Sequence, residues 1–586
     1  MRNRVVGIGL PLACAGVLIG GCGGGDRDEV TEQQSAAPAT APAATAAPVA
    51  PPAVAATPFT DTASRAADSI SGDDIRTWVA ALSSDEMGGR GPGSDGDRMA
   101  RRYIVEELQK LGYKPGAADG GWEQSFDLVG INSTMPPVWK FKGDGELELA
   151  AGSEYIAGSG VQSEQATLTD AELVFVGYGI EAPEYDWNDF KGQDLSGKVL
   201  VMLNNDPDWS DDLFEGNRRL YYGRWTYKYE SAARQGAAGA IIIHTTPSAG
   251  YPFQVVQTSW TGEQFEIPAG DEPRVQVAAW VTEDAARKLM ALNGHDLENL
   301  IEKARSRDFE PVALGMTTSL DLENRLTRVS TGNVLGMLRG SDPELADEVV
   351  VFTAHHDHLG TAESGEGDRI YNGARDNASG VATILAIAKA VAELPEPPRR
   401  SILIAAVGAE EQGLLGAKAL AADPPVAPGL IAANINFDAG NIWGATRDIT
   451  FIGLGKSSLD EVAQTVAAHQ DRVVTGDQFP DKGYFYRSDQ FALARIGVPA
   501  MYMKGGTDYL GRPANWGAEQ VGAYTAKNYH QPSDELTDDW NFDGLVQDAQ
   551  LGFWCGLIIA NDDELPSWNP GDEFEAARKA ALAALP

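Results

Sequence analysis

The sequence has little cysteine and little positive charge. Its 586 residues include three cysteines, and 46 basic side chains stand against 84 acidic ones, for a formal net charge of −38. Nucleic-acid binding needs a basic surface, so this charge argues against it. The simpler interpretation is an exported, soluble protein whose acidic surface faces water.

Cysteine is too scarce for a disulfide framework. Cys14 lies in the segment expected to be removed, Cys22 directly follows that segment, and Cys555 lies in an apolar stretch at 551–559. We therefore expect no structural disulfide. We expect Cys555 to be a small buried apolar side chain.

Two motifs of common hydrolases are also missing. There is no His-Glu-x-x-His, which excludes a thermolysin-like zinc site. No Gly-x-Ser-x-Gly turn with ordered partners supports a serine hydrolase. The apolar run at residues 5–19 is too short to cross a membrane.

The N-terminus has the pattern of an export signal. A positive start, the apolar run at 5–19 and two glycines precede Cys22. Residues 18–22, Leu-Ile-Gly-Gly-Cys, resemble a bacterial lipobox, which implies cleavage before Cys22, lipidation of its thiol and attachment to a membrane. Because Gly23 rather than Asp follows, the usual sorting pattern favours the outer membrane. An ordinary secretory signal with an incidental Cys22 is the alternative.

Composition divides the chain into six expected segments. Low complexity in Ala, Pro and Thr predicts a disordered tether after the signal, and a globular texture begins near residue 61. The expected segments are 1–21 signal peptide, 22–60 tether, 61–165 N-terminal part of the main domain, 166–316 insertion, 317–565 catalytic part and 566–586 C-terminal tail.

The insertion at 166–316 contains the sequences Val-Gly-Tyr-Gly-Ile, Asp-Leu-Ser-Gly-Lys-Val-Leu-Val and Gln-Gly-Ala-Ala-Gly-Ala-Ile. Through these sequences it resembles the protease-associated (PA) domain, a small β-rich module of exported peptidases. We expect strands at 171–178, 198–203 and 240–244, and a helix at 227–235. These sequences reveal no ligand.

Strand and helix patterns alternate clearly after residue 333. Apolar runs predict strands at 348–354, 401–407, 432–437 and 498–503, and longer periodic segments predict helices at 380–394 and 414–422. This alternation indicates an α/β fold, a mixed sheet with a mostly parallel core and helices on both faces. Ligands of such sheets bind beyond the carboxyl ends of the strands.

Five short motifs carry candidate chemistry. Glu410 and Glu411 follow a predicted strand, where burying two adjacent acids is costly unless cations compensate. His355 can bind zinc, and Asp357 is spaced to accept the other N–H group of that imidazole. In chain order the motifs are His355-x-Asp357, Asp376-Asn-Ala-Ser-Gly380, Glu410-Glu411, Asp438 and Tyr529-His530-x-Pro-x-Asp534.

Together, in this order, the five motifs resemble the co-catalytic di-zinc aminopeptidases, the superfamily that includes glutamate carboxypeptidase and the transferrin receptor. The resemblance covers residues 73–561 and implies a zinc exopeptidase fold with two Zn²⁺ ions. It assigns Asp376 as the bridging ligand, His355 and Asp438 to one ion, and Glu411 and His530 to the other. A cis peptide between Asp376 and Asn377 is also implied.

The same resemblance assigns the remaining roles. Glu410 would be the general base that takes a proton from the attacking water and later protonates the leaving amine. Tyr529 matches a position that can hydrogen-bond the oxyanion, and Arg487 one that can hold a substrate carboxylate. Gln490 departs from the pattern, because many relatives have His there, so no acid–base role is expected at this position.

The implied activity is hydrolysis of peptides, most simply by an aminopeptidase. A carboxypeptidase or dipeptidase is the near alternative. A glutaminyl cyclase, which holds one zinc, and a non-catalytic binding protein on the same scaffold are less well supported, because every expected ligand is present. The oligomeric state, the natural substrate and the contacts of the PA-like insertion are left open by the sequence.

Overall fold

The computed structural model describes residues 58–210, 213–362 and 364–585. The predicted signal peptide, Cys22 and most of the predicted tether lie outside these ranges. None of the helices in the described ranges combines the length and apolar character needed to cross a bilayer.

The part of the chain around the motifs is an eight-stranded mixed sheet, here called the main sheet. Its four central strands are parallel neighbours, and the outer strands pair with them antiparallel or extend the edges. In spatial order the strands are Lys114–Pro115, the end of Val312–Leu338, Ser401–Val407, Val349–His355, Ile431–Phe437, Ala500–Gly505, Asp448–Ile452 and Val473–Gly476.

Helices cover both faces of this sheet, as the alternating pattern predicts. Along the central strand Val349–His355, Val350 and Phe352 pack into one helical layer, and Val349 and Val351 into the other. The first layer contains Asp61–Asp68, Gly72–Leu82, Asp95–Lys110, Ser379–Ala392, Leu459–His469 and Asp543–Asn561. The second contains Leu415–Ala422 and Gln490–Arg495.

The predicted elements of this part are confirmed. The strand predicted at 401–407 is Ser401–Val407, and the other three central strands begin and end within two residues of their predicted bounds. The helices predicted at 380–394 and 414–422 are Ser379–Ala392 and Leu415–Ala422. Cys555 is buried and free, as expected.

A second group of strands forms a β-rich lobe, defined here as residues 123–332. Its strands are Glu123–Thr134, Val138–Lys142, Glu146–Ala150, Tyr155–Ser159, Gln165–Phe175, Val199–Leu203, Gly239–His244, Glu263–Glu266, Val277–Thr282 and most of Val312–Leu338. Its helices are Trp225–Arg234, Thr246–Ala249, Phe253–Ser259, Glu283–Ala291 and Leu297–Ala304. Short hairpins join Glu181–Ala182 to Trp187–Asn188 in the lobe and Gly360–Thr361 to Ile370–Tyr371 after it.

The lobe begins earlier than the boundary expected from the sequence. Residues 138–159 precede the predicted start at 166, yet Trp139 and Tyr155 lie in the core of the lobe. The strand Val312–Leu338 runs through the lobe and ends in the main sheet, where Val334 pairs with Ala406. One continuous strand therefore joins the two parts.

The segment expected as a C-terminal tail contains a helix. Trp516–Lys527 lies before the Tyr-His motif, and Glu575–Ala583 lies in the predicted tail. Arg578 in the last helix is buried and donates to the main-chain oxygen of Ile431, at the start of a central strand. The helix Glu575–Ala583 is therefore packed on the main sheet.

Candidate active site

The candidate residues lie where the central parallel strands end. His355 is the last residue of its strand, Asp438 directly follows Ile431–Phe437, and Glu410 and Glu411 come three and four residues after Ser401–Val407. Because the three strands are parallel neighbours, their ends meet at one edge of the sheet. The motifs therefore converge through the topology of the sheet.

Asp376 lies between two sets of ligand atoms. Its Oδ1 atom is 3.3 Å from Nε2 of His355, and its Oδ2 atom is 3.7 Å from Nε2 of His530. Asp376 is buried, and the peptide bond to Asn377 is cis, as the resemblance implies. The two oxygens of one carboxylate thus face two different imidazoles.

Each imidazole has a second carboxylate beside it. Nε2 of His355 is 3.6 Å from Oδ1 of Asp438, and Nε2 of His530 is 2.9 Å from Oε2 of Glu411. The pairing is therefore the one expected, with Asp438 beside His355 and Glu411 beside His530. Imidazole nitrogen and carboxylate oxygen are typical zinc donors, so the donor set fits two zinc ions that share Asp376.

The electrostatics of Glu410 and Glu411 differ in the metal-free protein. Burial raises the pKa of the Glu410 carboxyl well above its usual range, the nearby His355 opposes this, and the Glu411 charge adds to it. Burial also acts to raise the pKa of Glu411, but His530 and His358 hold it well below its usual range. Glu411 is thus suited to be an anionic ligand, and Glu410 to carry a proton.

Asp357 does not make the contact that its spacing predicts. Its Oδ1 atom is 3.7 Å from Nδ1 of His355, beyond hydrogen-bond distance, and the nearer acceptor is the Asp357 main-chain oxygen at 3.3 Å. The carboxylate instead accepts the backbone N–H groups of Glu410 at 3.0 Å and Glu411 at 3.3 Å. Asp357 therefore orients the acidic pair.

His358 is a site residue that the sequence analysis did not single out. Its Nδ1 atom is 2.6 Å from Oε1 of Glu411, while the other oxygen of that carboxylate faces His530. Atoms of His358, Asp376 and Glu411 also lie close enough together to hold an ion. In the sequence, His358 is marked only by its place in the cluster His355-His-Asp-His358. That place does not show whether the imidazole would bind a metal ion or hydrogen-bond a residue that binds one.

The loop that carries Asp376 is held by Asp534, the last residue of the Tyr-His motif. Asp534 accepts the backbone N–H groups of Arg375 at 3.2 Å and Asp376 at 3.0 Å. The Tyr524 hydroxyl donates to the same carboxylate at 3.0 Å. The motif therefore contributes His530 as a candidate ligand and Asp534 as a support for the loop of Asp376, a role that the sequence did not indicate.

Asp438 is held by two hydroxyl groups. Ser488 donates to its Oδ2 atom at 2.7 Å and Tyr502 donates at 3.1 Å. The Asn436 amide donates to the Ser488 hydroxyl and to the side-chain oxygen of Gln490. Gln490 is thus a buried member of a hydrogen-bond chain that leads to Asp438.

A cavity of about 150 Å³ opens beside these ligands. Tyr529 lines it and stacks on the His530 ring, with 3.9 Å between ring centroids. Burial raises the pKa of Tyr529 well above its usual range, and Arg487 only partly opposes this, so the phenol keeps its proton at neutral pH. A protonated phenol can donate a hydrogen bond into the cavity.

Arg487 also lines the cavity, where the sequence analysis placed a substrate-binding residue. Its guanidinium lies 5.5 Å from the ring centroid of Tyr251 and 5.4 Å from that of Tyr484. Lys504 lies over the rings of Tyr484 and Tyr502. Within the described residues, neither cation has a carboxylate within 4 Å. Arg487 and Lys504 therefore line the same cavity as the candidate metal ligands, and neither has an ion-pair partner among the described residues.

The β-rich lobe forms part of the wall. Gly250 and Tyr251 line the cavity, and the Ser259 hydroxyl lies 3.1 Å from Nδ1 of His530. Elsewhere along this boundary, the backbone N–H group of Phe265 donates to the side-chain oxygen of Gln412. The lobe is thus in direct contact with a candidate metal ligand and with the loop after Glu411.

Comparison with known proteins gives matches over part or most of the chain. Residues 333–553 match the model of peptidase family M28. A rat protein, aminopeptidase NAALADL1, is 32% identical over 148 residues, which cover 23% of this chain and 18% of the rat protein. Its mouse counterpart is 34% identical over 116 residues, 18% of this chain and 14% of the mouse protein. The chain thus matches less than a fifth of the length of these curated relatives.

A solved structure shares the fold. An aminopeptidase from Aneurinibacillus sp. strain AM-1 superposes with a TM-score of 0.51 at 18% identity, covering 86% of this chain and 97% of that one. This similarity confirms the predicted α/β fold. The five candidate ligands and Glu410 all lie inside residues 333–553, the segment that matches the model of peptidase family M28.

Proposed function

We propose that the protein is a zinc-dependent exopeptidase, and specifically an aminopeptidase that removes N-terminal residues from peptides. The observation that carries the proposal is the position of Asp376, whose two oxygens face His355 at 3.3 Å and His530 at 3.7 Å. A carboxylate placed this way suits a ligand shared by two zinc ions. The family of residues 333–553 supports the same reaction class.

Zinc ions held by these five ligands would lower the pKa of a water molecule and polarise the scissile carbonyl. Glu410 is placed for the proton transfers, because its Oε2 atom is 3.9 Å from Nε2 of His355 and its carboxyl lines the cavity. It would take a proton from the attacking water and deliver it to the leaving amine. Tyr529 would donate a hydrogen bond to the developing oxyanion.

The test of this proposal is the variant Glu410→Gln. The amide cannot accept the proton, so we expect peptide turnover to fall by about 10²–10⁴-fold while bound zinc stays at two ions per chain. The matched control is Glu411→Gln, which should lose zinc as well as activity. Wild-type turnover in Glu410→Gln would rule out the assigned base, and one tightly bound zinc in the wild type would favour a cyclase-like site.

A carboxypeptidase or dipeptidase is the second candidate, and a specific observation favours it. Arg487 and Lys504 face the cavity without carboxylate partners among the described residues, so either could hold the terminal carboxylate of a short substrate. Peptides with a free amine and N-blocked peptides of the same sequence separate the candidates. Cleavage of the blocked peptides alone would overturn the aminopeptidase assignment.

We also propose that the protein is exported and anchored to the outer membrane through lipid on Cys22. The proposal is supported by the N-terminal sequence alone, since Cys22 lies outside the residues that the structure describes. Fractionation of cells that produce the full chain and its Cys22→Ser variant tests this. We expect the wild type as a processed protein in the membrane fraction and the variant either soluble or as the uncleaved precursor, and a variant that is both processed and membrane-bound like the wild type would contradict the anchor.

A PA-like role is proposed for the lobe: it would narrow the cleft and favour small peptides. Tyr251 on the cavity wall supports this. Activity on a series of peptides of increasing length, compared between the wild type and Tyr251→Ala, tests the idea. An unchanged length preference would count against it.

A further inference from the structure

His530 is held on three sides in this structure. Its Nε2 atom faces the Glu411 carboxylate at 2.9 Å, the Tyr529 ring stacks on its face, and its Nδ1 atom lies 3.1 Å from the Ser259 hydroxyl. Ser259 is the one hydrogen-bond partner of Nδ1 within the part of the chain that is described. The orientation of this imidazole therefore depends on a residue of another part of the fold.

Ser259 belongs to the β-rich lobe and precedes His530 by 271 residues. It ends the helix Phe253–Ser259, whose Val255 and Val256 are buried. Val256 packs in a cluster with Trp280, and the Gln257 amide donates to the main-chain oxygen of Gly152 at 2.6 Å. The helix is thus fixed to the lobe, and the position of the lobe sets the position of the Ser259 hydroxyl.

The two candidate zinc-binding imidazoles differ in how their outer nitrogen is satisfied. Nδ1 of His355 faces the main-chain oxygen of Asp357, two residues away in the same loop. Nδ1 of His530 faces Ser259 from the lobe. An imidazole that binds metal through Nε2 carries its proton on Nδ1, and an acceptor there fixes the tautomer and the ring orientation. The Ser259 oxygen can accept that proton.

We propose that Ser259 is a positioning residue for the zinc site, so that the β-rich lobe completes the half of the site formed by His530 and Glu411. The inference rests on the proposed zinc function and deepens it. The lobe would then do more than wall the cavity, because one of its hydroxyl groups would set the affinity for one of the two ions. The half formed by His355 and Asp438 would not depend on it.

The experiment compares Ser259→Val with Ser259→Thr, two side chains of nearly equal shape of which only Thr keeps the hydroxyl. Metal-free full-length proteins are titrated with zinc against a chromogenic chelator, which gives two dissociation constants. We expect Ser259→Val to weaken one of them by about 10-fold or more and to leave the other within about twofold. Ser259→Thr should bind both ions as the wild type does.

Two controls make the result specific. Thr258→Val, in the same helix, removes a hydroxyl that bonds only within the helix and should leave both dissociation constants unchanged. Thermal unfolding of the metal-free proteins identifies a variant that has lost its fold, and Ser259→Ala replaces Ser259→Val in that case. The inference would be overturned if the folded variant without the hydroxyl, Ser259→Val or its replacement Ser259→Ala, bound both zinc ions as tightly as Ser259→Thr.

Failure of the inference and failure of the proposed function give different results. A wild type that binds two zinc ions but cleaves no peptide would contradict the peptidase, while the dependence of zinc affinity on Ser259 could still be measured. A wild type that cleaves peptides while Ser259→Val binds zinc normally would contradict the role of Ser259 alone.

Discussion

The carboxylate of Asp357 accepts the backbone N–H group of Glu410 at 3.0 Å. Its second oxygen accepts the neighbouring N–H group of Glu411. Asp357 follows the strand that ends in His355, and the acidic pair follows the adjacent parallel strand. One buried carboxylate thus fixes the loop of a metal ligand relative to the loop of the proposed base.

We expect Asp357→Ala to weaken zinc binding and turnover together by about 10–100-fold, because both backbone donors lose their acceptor and the acidic pair can shift. Zinc titration and peptide hydrolysis at saturating zinc measure the two effects. Asp347→Asn, which alters an exposed ion pair with Arg339, is the control and should change neither. Normal zinc affinity in Asp357→Ala would show that the pair is held by other contacts.

The contact of Asp534 with Asp376 gives a second prediction. In Asp534→Asn the amide can present an N–H group to the backbone donors of Arg375 and Asp376, so the bridging carboxylate should lose its position. We expect zinc affinity to fall by about 10–100-fold. Tyr524→Phe removes only a hydroxyl donor to Asp534 and should have a smaller effect.

The control for Asp534 is Asp538→Asn, which removes the charge of a fully exposed side chain paired with Arg76. Its zinc affinity should match the wild type. If Asp534→Asn also matched the wild type, the contact would not be needed to hold the bridging carboxylate.

Arg90 is a buried residue that ties two site loops together. Its guanidinium donates to the main-chain oxygens of His356 at 2.7 Å, Leu82 at 2.5 Å, Asn372 at 2.6 Å and Gly373 at 2.9 Å. One of these acceptors directly follows the candidate ligand His355, and another lies three residues before the candidate ligand Asp376. Arg90 therefore holds the main chain next to the candidate ligands and does not line the cavity.

We expect Arg90→Met to lower the free energy of unfolding by roughly 3 kcal/mol or more, because buried carbonyl groups are left without donors. Zinc affinity should fall as well. Denaturant unfolding of the metal-free proteins measures the first effect, with the exposed Arg102→Met as the control. A change below about 0.5 kcal/mol, as is usual for surface positions, would contradict the assigned role of Arg90.

The sequence predicted the central strands and the candidate ligands because both have local signals. Apolar runs identify buried strands, and polar residues placed directly after them fall at one sheet edge once the strands are parallel. Glu411 and Asp438 were found in this way together with the family resemblance, whereas Asp376, at the entry to a helix, was assigned through the resemblance. The contacts that position these candidate ligands have no such local signal in the sequence.

Ser259, Asp534 and Arg90 act on the site through contacts between residues far apart in the chain. A serine at the end of a short helix has the same local pattern whether or not it meets an imidazole 271 residues later. The pairing of residues 138–159 with strands of the lobe also has no local signal in the sequence. These features depend on tertiary packing, which a local pattern does not contain.

His244 is buried in the β-rich lobe. It is not a candidate metal ligand, and no candidate ligand is near it along the chain. It is 4% exposed and surrounded by the rings of Tyr251, Phe253 and Trp280. Its Nε2 atom has no hydrogen-bond partner among the described residues. Burial lowers the pKa of His244 from its ordinary 6.5 to about 4, so the folded protein keeps this imidazole neutral.

The last prediction follows from that pKa. As the pH falls below 6.5, the unfolded chain binds a proton at His244 and the folded protein does not until about pH 4, so the free energy of unfolding should fall across this window, by on the order of 3 kcal/mol. In His244→Phe this contribution should vanish. Denaturant unfolding of the metal-free proteins at pH 7.5 and 4.5 measures it, with the surface variant His295→Gln as the control. An equal loss of stability on acidification in His244→Phe and the wild type would exclude His244 as a source of acid sensitivity.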